Sequence, residues 1–313
     1  MKNYNYILGS GLVALLCRKI LGDTWRIVPL GPSKFYSSNV PALGDDFLVY
    51  DDIVADLAKE WNLNVVPMMY KRPFSVGGQL MYAQTFIADY LNRMGLPDNP
   101  IVRNSLKPDV MVFQFSCLQL WRKLVNEFIG EIKQFFADNE AKGISRIKDG
   151  KMWFSTSNGV EKPIEYNKII STVPNFVLCD LLKVKDPNKY GDLYFYFIES
   201  AKIDIDKADQ VLICDSVIPF HRCTKIKNRF LIEVLDEYHE NPMQVFSAVF
   251  GNNFDILKAA YVEKGYPYPG DVNQKFLDTL NIDVVGSLAQ CDPLMDMSSC
   301  IKRIIRMSKN VQK

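Results

Sequence analysis

The apolar positions at the start of the chain change their spacing twice within a short stretch. Tyr4 to Leu8 form a largely apolar run, which is typical of a buried strand. From Leu12 to Leu21 the apolar residues recur with helical spacing, and Gly22 stands where a helix C-cap is expected. Trp25 to Leu30 are mostly apolar again and end at Gly31-Pro32. The pattern predicts a strand, a glycine turn, a helix and a second strand.

The rest of the chain alternates between helical and strand-like spacing. Asp149-Gly150 and Asn158-Gly159 are two-residue hairpin signals between alternating residues, so a three-stranded meander is predicted over 144–173. The turn-rich residues 31–45 predict a loop close to a ligand. Helices are predicted at 51–61, 80–94, 118–139, 176–182, 242–250 and 297–307, and strands at 65–70, 168–173, 192–199, 209–215, 229–235, 259–268 and 282–286.

Gly9 to Ala14 fit the pattern G-x-G-x-x-G/A between the first strand and the first helix. The first glycine allows a tight turn, the second lets the backbone approach a pyrophosphate, and Ala14 is small enough for close helix–strand packing. We therefore predict a dinucleotide site formed by the backbone of Gly9, Ser10, Gly11 and Leu12, with the positive end of the helix dipole facing the phosphates. The alternative is an ordinary strand–helix turn.

The acidic residue that usually binds a ribose hydroxyl is absent. Such an Asp or Glu is expected at the end of the second strand, about 20 residues after the glycines, and this strand ends in Val28-Pro29-Leu30. Ser33 and Lys34 follow, so a hydroxyl, a backbone amide or a cation is expected in its place.

Strands that alternate with helices at both ends of the chain predict a mostly parallel sheet, while the central hairpins predict an antiparallel layer. We therefore predict an α/β fold, in which a Rossmann-type nucleotide-binding domain carries an inserted substrate domain of antiparallel sheet and helices. The expected ranges are 1–70, 140–185 and 255–313 for the first domain and 71–139 and 186–254 for the second.

The net charge of +1 over 313 residues shows no nucleic-acid footprint, although it leaves a nucleic-acid partner open. The seven cysteines are scattered without a C-x-x-C pair, and there are only two histidines, so no metal site is predicted. The apolar run near the N-terminus is broken by two glycines and closed by Arg18-Lys19, with no cleavage site nearby. We expect a soluble, cytoplasmic protein with no membrane partner, whose oligomeric state stays open.

Several segments, read in order, resemble the UDP-galactopyranose mutase branch of the amine-oxidase-like flavoproteins. These segments are Gly44 to Trp61, Tyr70-Lys71-Arg72 with Gly78 to Tyr82, Tyr166 to Pro174, Pro219 to Arg222, Gly265 to Pro269, and Gly286 to Met297. The resemblance covers nearly the whole chain and implies FAD as the cofactor.

Two groups of site residues follow from the resemblance. Toward the cofactor, it implies Thr172, Val173, Pro174, Gly286, Asp296 and Met297. Toward a small-molecule substrate, it implies Arg72, Arg222, Tyr266 and Tyr268, because arginine binds carboxylates and phosphates and tyrosine stacks and hydrogen-bonds. His221 is added as a candidate acid–base group because the ordinary pKa of histidine is near neutral. Each candidate also has a purely structural alternative. Pro174 could simply end a strand, Asp296 could cap a helix, the two arginines could lie on the surface, and the tyrosines and the histidine could be packing residues.

The sequence departs from the family where the chemistry would be. Pro32-Ser33-Lys34 replace the usual Gly-Gly, and Ser287 replaces an arginine after Gly286. We therefore expect an FAD-dependent oxidoreductase-like enzyme that acts on a small polar substrate, such as an amine, an alcohol or a nucleotide-linked group. Three alternatives stay open: a mutase-like non-redox sugar-nucleotide isomerase, a DNA- or nucleotide-modifying flavoprotein of viral type, and a non-catalytic binding protein.

Overall fold

The chain divides into two compact units, each assembled from separate stretches of sequence. The first comprises Met1–Ser38, Cys117–Asn188 and Gly270–Lys313, and the second comprises Asn39–Ser116 and Lys189–Pro269. The structure, a computed structural model, describes residues 4–31, 46–49, 52–99, 103, 106–199, 208–215, 218, 220–226, 229–235, 247, 255–292 and 297–311.

Strands and helices alternate along the chain. The strands are β1 (Tyr4–Leu8), β2 (Trp25–Val28), β3 (Asp46–Val49), β4 (Val66–Lys71), β5 (Phe74–Val76), β6 (Gln79–Met81), β7 (Asp109–Ser116), β8 (Ala141–Lys148), β9 (Lys151–Thr156), β10 (Glu161–Ser171), β11 (Tyr190–Glu199), β12 (Gln210–Ile213), β13 (Phe220–Ile226), β14 (Arg229–Leu235), β15 (Asp255–Pro267) and β16 (Ile282–Val284). The helices are α1 (Leu12–Leu21), α2 (Asp52–Glu60), α3 (Ile87–Arg93), α4 (Cys117–Asn139), α5 (Asn175–Leu182), α6 (Gln274–Thr279), α7 (Ser287–Gln290) and α8 (Met297–Val311).

The sheet of the first unit is parallel at one end and antiparallel at the other. The strand β1 lies between β2 and β10, and β16 pairs with the other edge of β10, all in parallel. The first half of β10 instead joins β9 and β8 in the predicted antiparallel meander. The Asp149-Gly150 turn has positive φ at both residues (53° and 69°), as a two-residue type I′ hairpin requires.

Helices cover the sheet of the first unit. The helix α1 packs against α8 and α4, and α4 also contacts β2. The core includes Leu8, Ile169 and Phe154, which are fully buried, together with Phe135 from α4. Phe135 and Phe154 have ring centroids 5.4 Å apart. The long apolar stripe of α4 is therefore buried against the sheet, as its helical spacing predicts.

The second unit contains two sheets. A seven-stranded sheet has the order β15-β11-β14-β13-β12-β5-β6 and is antiparallel except where β12 meets β5. A three-stranded antiparallel sheet has the order β3-β7-β4. Ile198, Ile232 and Val234 are fully buried at the centre of the larger sheet.

The helix expected at 80–94 is largely wrong. Gly77 and Gly78 have positive φ (56° and 78°) and turn the chain back, so residues 79–81 form β6 and pair with β5. A short 3-10 turn at Gln84–Phe86 precedes α3, which covers only the second half of the expected helix. The tight glycine turn places β6 beside a partner strand, and this pairing overrides the helical spacing. The loop at 32–45 and nearly all of the helix expected at 242–250 lie outside the described residues.

The two units differ in range from the two domains expected from the sequence. Residues 39–70 belong to the second unit, where β3 and β4 pair with β7. Residues 117–139 belong to the first unit as α4, and residues 255–269 belong to the second, where β15 pairs with β11. These assignments depend on pairing between distant segments. Within the described ranges, no helix is long and apolar enough to cross a membrane.

Candidate functional site

Three predicted segments of the first unit meet at one edge of its parallel sheet. Leu8, Ser171 and Val284 are neighbours in register at the carboxyl ends of β1, β10 and β16. The backbone N–H of Thr172 donates to the Leu8 carbonyl at 2.9 Å, and that of Val285 donates to the Ser171 carbonyl at 2.9 Å. Ligands of open α/β sheets bind beyond these strand ends. The structure therefore brings the segments 9–12, 172–174 and 286 together at the edge where open α/β sheets bind their ligands.

Gly9 occupies a position that only glycine can take. Its φ is +122°, and a Cβ atom built on it would overlap the Oγ1 atom of Thr172. The Gly9 N–H donates to the Val28 carbonyl at 2.9 Å. The Thr172 hydroxyl donates to the Leu8 carbonyl at 3.0 Å, so it holds the two strand ends together.

Gly11 leaves free space at the start of α1. Its φ of −72° suits any residue, yet no atom lies within 4 Å of the position of its missing Cβ. Gly11 is the N-cap of α1, with no side-chain cap and no acidic residue in the first turn. The first N–H groups of a helix have no acceptor within the helix, and the helix dipole favours an anion there. This turn therefore has the space and the donors that a diphosphate needs.

Gly286 forms a second strand-to-helix turn at the same edge. It is the N-cap of α7, with φ of 119° and ψ of 153°, a conformation that is essentially restricted to glycine. Two buried polar atoms, Oε1 of Gln290 and Oγ of Ser298, lack a hydrogen-bond partner among the described residues. Met297 begins α8, but its side chain lies outside the description, as do Asp296, Ser33 and Lys34.

A separate polar cluster lies in the second unit, around an ion pair between β13 and β14. Arg222 is the cross-strand partner of Glu233. Its Nε atom donates to Oε1 of Glu233 at 2.7 Å and its Nη2 atom donates to Oε2 at 2.5 Å. The Glu233 side chain is 6% exposed and that of Arg222 is 39% exposed. Burial by itself would lower the pKa of Arg222. The negative charge of Glu233 and the hydrogen bonds to it outweigh this effect, so the pKa of Arg222 is raised.

His221 shares the carboxylate of Glu233. The register of β13 shifts between Phe220 and Arg222, and the Nε2 atom of His221 lies 3.7 Å from Oε2 of Glu233. The side chain is buried, and its Nδ1 atom has no hydrogen-bond partner among the described residues. Burial, followed by the charges of Arg222 and Arg93, holds the pKa of His221 well below 6.5. The near-neutral pKa expected from the sequence is therefore absent, and His221 is neutral at pH 7.

Tyrosines complete this cluster. The rings of Tyr266 and Tyr268 meet edge to face at 5.5 Å, and the Tyr266 ring lies 6.1 Å from that of His221. Burial raises the pKa of Tyr266, so its hydroxyl stays protonated and can donate. Burial also raises the pKa of Tyr90 to about 12, although the positive charge of Arg222 opposes the increase.

Arg72 is buried in the same unit, and its charge also acts on Tyr90. Its Nη2 atom donates to the Lys107 carbonyl at 3.3 Å. The structure thus places four of the five candidate substrate residues around common partners, Glu233 and Tyr90, and the fifth, Tyr268, against Tyr266. Neither partner was predicted from the sequence. The one available signal was that Glu233 is the only acid within the otherwise apolar run of β14.

The fold is similar to those of several solved structures. Reduced UDP-galactopyranose mutase matches with a TM-score of 0.68 and 12% identity over 100% of this chain and 94% of that chain. A CLA-producing fatty acid isomerase from P. acnes matches with a TM-score of 0.60 and 10% identity over 99% and 98% of the two chains. The protein pqsL from Pseudomonas aeruginosa, a probable FAD-dependent monooxygenase, matches with a TM-score of 0.55 and 11% identity over 99% and 86%.

The chain shares the fold of these solved structures. The predicted Rossmann-type fold with inserted antiparallel and helical elements is therefore confirmed, as is the resemblance at the level of the fold. No protein-family model and no curated protein sequence matches the chain. Within the described ranges, no cluster of His, Cys, Asp or Glu has the geometry of a metal site.

Proposed function

We propose that the first unit binds FAD and that the protein is an FAD-dependent oxidoreductase-like enzyme acting on a small polar substrate. The observation that supports FAD binding is the convergence of Gly9, Gly11 and Gly286 at one sheet edge, with free space in front of Gly11. The N–H groups at the start of α1 would hold the diphosphate, and the turn at Gly286 would approach the ring. FAD, when bound, supplies the acceptor for a hydride.

We propose that the cluster of the second unit recognises the substrate. Glu233 holds two nitrogen atoms of Arg222, so the guanidinium plane is fixed while part of this side chain stays exposed. A guanidinium held in this way can bind a carboxylate or phosphate without losing much side-chain freedom. The protonated Tyr266 hydroxyl adds a donor for a polar substrate group. Neutral His221 can donate or accept one hydrogen bond but carries no charge at pH 7.

FAD binding is tested with a pair of glycine variants. Gly11 and Gly130 both have open space around the missing Cβ, and neither has positive φ. We expect Gly11→Val to lose FAD affinity by at least about tenfold because the side chain fills the space of the diphosphate. Gly130→Val, in the middle of α4, should bind FAD like the wild type.

The measurement is a titration of the protein with FAD, followed by the change in flavin absorbance. Circular dichroism verifies that both variants are folded. A wild-type protein that remains colourless and binds no FAD would exclude the proposal, and so would equal affinities of the Gly11→Val and Gly130→Val variants.

A mutase-like reaction is the second candidate. It is favoured by the TM-score of 0.68 with UDP-galactopyranose mutase, which spans nearly all of both chains. The two candidates differ in their use of reductant. A mutase-like enzyme would convert UDP-galactopyranose only after reduction of the protein and would consume no further reductant. An oxidoreductase would consume one equivalent of acceptor for each amine or alcohol turned over, and this stoichiometry separates the two.

A further inference from the structure

A cavity of about 260 Å³ lies in the first unit, between α5 and the segment that leads into α6. Its lining residues fall within the ranges 175–187 and 271–277, both of which belong to this unit. Among the described residues, none of those proposed to hold FAD lines the cavity. Its volume is below the roughly 300–1,000 Å³ of sites for drug-sized ligands, so it suits a smaller molecule.

Apolar side chains with accessible surface stand on both walls of this cavity. Val184 is 41% exposed and lines the first wall together with Leu182. Val272 and Phe276 line the second wall. Leu182, Val272 and Phe276 pack against the core of the first unit and keep part of their surface accessible. An aliphatic group that covers this surface would bind favourably, because it removes apolar area from water.

The lining carries one positive and one negative side chain, Lys185 and Asp271. Both residues are exposed, and neither makes an ion pair within the described part of the chain. Burial raises the pKa of the Cys179 thiol to about 11, so this third titratable group of the lining is neutral at pH 7. The charges of the lining therefore sum to zero. A ligand that matches them carries one charge of each sign.

Other polar groups around the cavity are engaged within the fold. The Nδ2 atom of Asn175 donates to Oδ1 of Asp186 at 3.0 Å. Asn188 donates to the same oxygen with its backbone N–H at 3.0 Å and with its Nδ2 atom at 2.9 Å. The side chain of Asn273 caps α6 by accepting from the N–H of Phe276 at 3.2 Å. A ligand would therefore find its polar partners in the two charged residues of the lining.

We propose that this cavity binds a free α-amino acid with an aliphatic side chain, such as leucine. The aliphatic group would cover the apolar walls, while the carboxylate would pair with Lys185 and the ammonium group with Asp271. Hydrogen bonds between charged groups are stronger than those between neutral groups, so both charges of the ligand contribute. A residue at either end of a peptide lacks one of the two charges and fits less well. The proposal does not depend on the function proposed above.

The test is isothermal titration of the full chain, with and without FAD, using four probes. L-Leucine carries all three features, glycine lacks the aliphatic group, 4-methylpentanoate lacks the ammonium group, and 3-methylbutylamine lacks the carboxylate. We expect leucine to bind saturably and each of the other probes to bind at least about fivefold more weakly.

Two variants separate the charges of the lining. Lys185→Gln should weaken the binding of leucine by about fivefold and leave that of 3-methylbutylamine unchanged, because the amine has no carboxylate. Asp271→Asn should weaken leucine by a similar factor and leave 4-methylpentanoate unchanged. The matched controls are Lys275→Gln on α6 and Asp149→Asn in the turn between β8 and β9. Each removes an exposed charge outside the lining and should bind leucine like the wild type.

Absence of saturable leucine binding would overturn the proposal, and so would equal affinities of the Lys185→Gln and Lys275→Gln variants. Equal binding of leucine and 4-methylpentanoate would also overturn it, because the site would then recognise an acid and not an amino acid. Leucine binding that is lost in Arg222→Lys and retained in Lys185→Gln would assign the amino acid to the cluster of the second unit and count against the cavity. The titration without FAD keeps this result independent of flavin binding.

Discussion

Glu233 shows how one buried side chain organises the polar cluster of the second unit. Its carboxylate accepts two hydrogen bonds from Arg222 and lies 3.7 Å from the Nε2 atom of His221. A buried carboxylate is costly unless it is paired, and removal of one partner leaves the other uncompensated. Arg222 is partly exposed, so water can compensate its charge better than that of Glu233.

We expect the two partners to differ when each is replaced. Arg222→Met should lower the free energy of unfolding by about 3 kcal/mol because it strands the buried Glu233, and Glu233→Leu should lower it by about 1–2 kcal/mol. The double variant should lose less free energy of unfolding than the sum of the two single losses, because neither charge is left unpaired. Urea unfolding of all four proteins measures the coupling. Additive losses would show that the pair contributes no interaction energy.

His221 links the same cluster to pH. Its pKa in the folded protein is lowered, mainly by burial, below the value of 6.5 expected in the unfolded chain. The unfolded state therefore takes up a proton first as the pH falls. The contribution of neutral, buried His221 to the free energy of unfolding is therefore fully present above pH 6.5. It is lost as the pH falls from 6.5 toward the lowered pKa of the folded protein.

We therefore expect His221→Gln to reduce the pH dependence of stability. Between pH 6.5 and pH 5 this one group should lower the wild-type free energy of unfolding by up to about 1.4 kcal/mol per pH unit. The variant should lose less over the same interval, whatever its stability at pH 7. Denaturant titrations at several pH values provide the slopes, and parallel slopes for the two proteins would contradict the prediction.

At the scale of elements, hairpins and helices follow local rules that the residues themselves carry. Gly150 has φ of +69° in the turn between β8 and β9, a conformation that an L-residue adopts only with strain. Gly130 lies inside α4 with open space around it and without positive φ. The same substitution should therefore have opposite effects at these two positions.

Gly150→Ala should lower the free energy of unfolding by about 1 kcal/mol because of the strained φ. Gly130→Ala should raise it by about 0.5–1 kcal/mol because alanine loses less conformational entropy in a helix. Thermal unfolding of the two variants beside the wild type checks the signs. Stabilisation by Gly150→Ala would show that the turn can adopt another conformation.

Local pairing also explains where the element predictions failed. Residues 79–81 carry a helical pattern, but the turn at Gly77-Gly78 places them beside β5 as a strand. The strands β7 and β13 were not predicted: β7 is a mostly apolar run, which periodicity alone does not assign to strand or helix, and β13 mixes apolar and charged residues without a clear period. The meander of β8, β9 and β10 was predicted, since its turn residues and its alternation agree.

At the scale of the whole molecule, the fold matches that of reduced UDP-galactopyranose mutase over the full chain at only 12% identity. A fold of this kind depends on element order, turn chemistry and buried apolar positions more than on individual side chains. This is why the α/β class and the nucleotide-binding start could be predicted. The substrate cannot be read from the same likeness, because the side chains that recognise it are separate from the scaffold.

The sequence by itself determined most of the elements and the glycine turn, because helical period, strand alternation and turn residues are local properties of the chain. The tertiary structure decided which distant residues meet. Thr172 reaches Leu8 across 164 positions, and Glu233 faces Arg222 through the register of two strands. The division into units likewise depends on strand order and packing. Register and strand order arise from the summed burial of many side chains, and no local period encodes that sum.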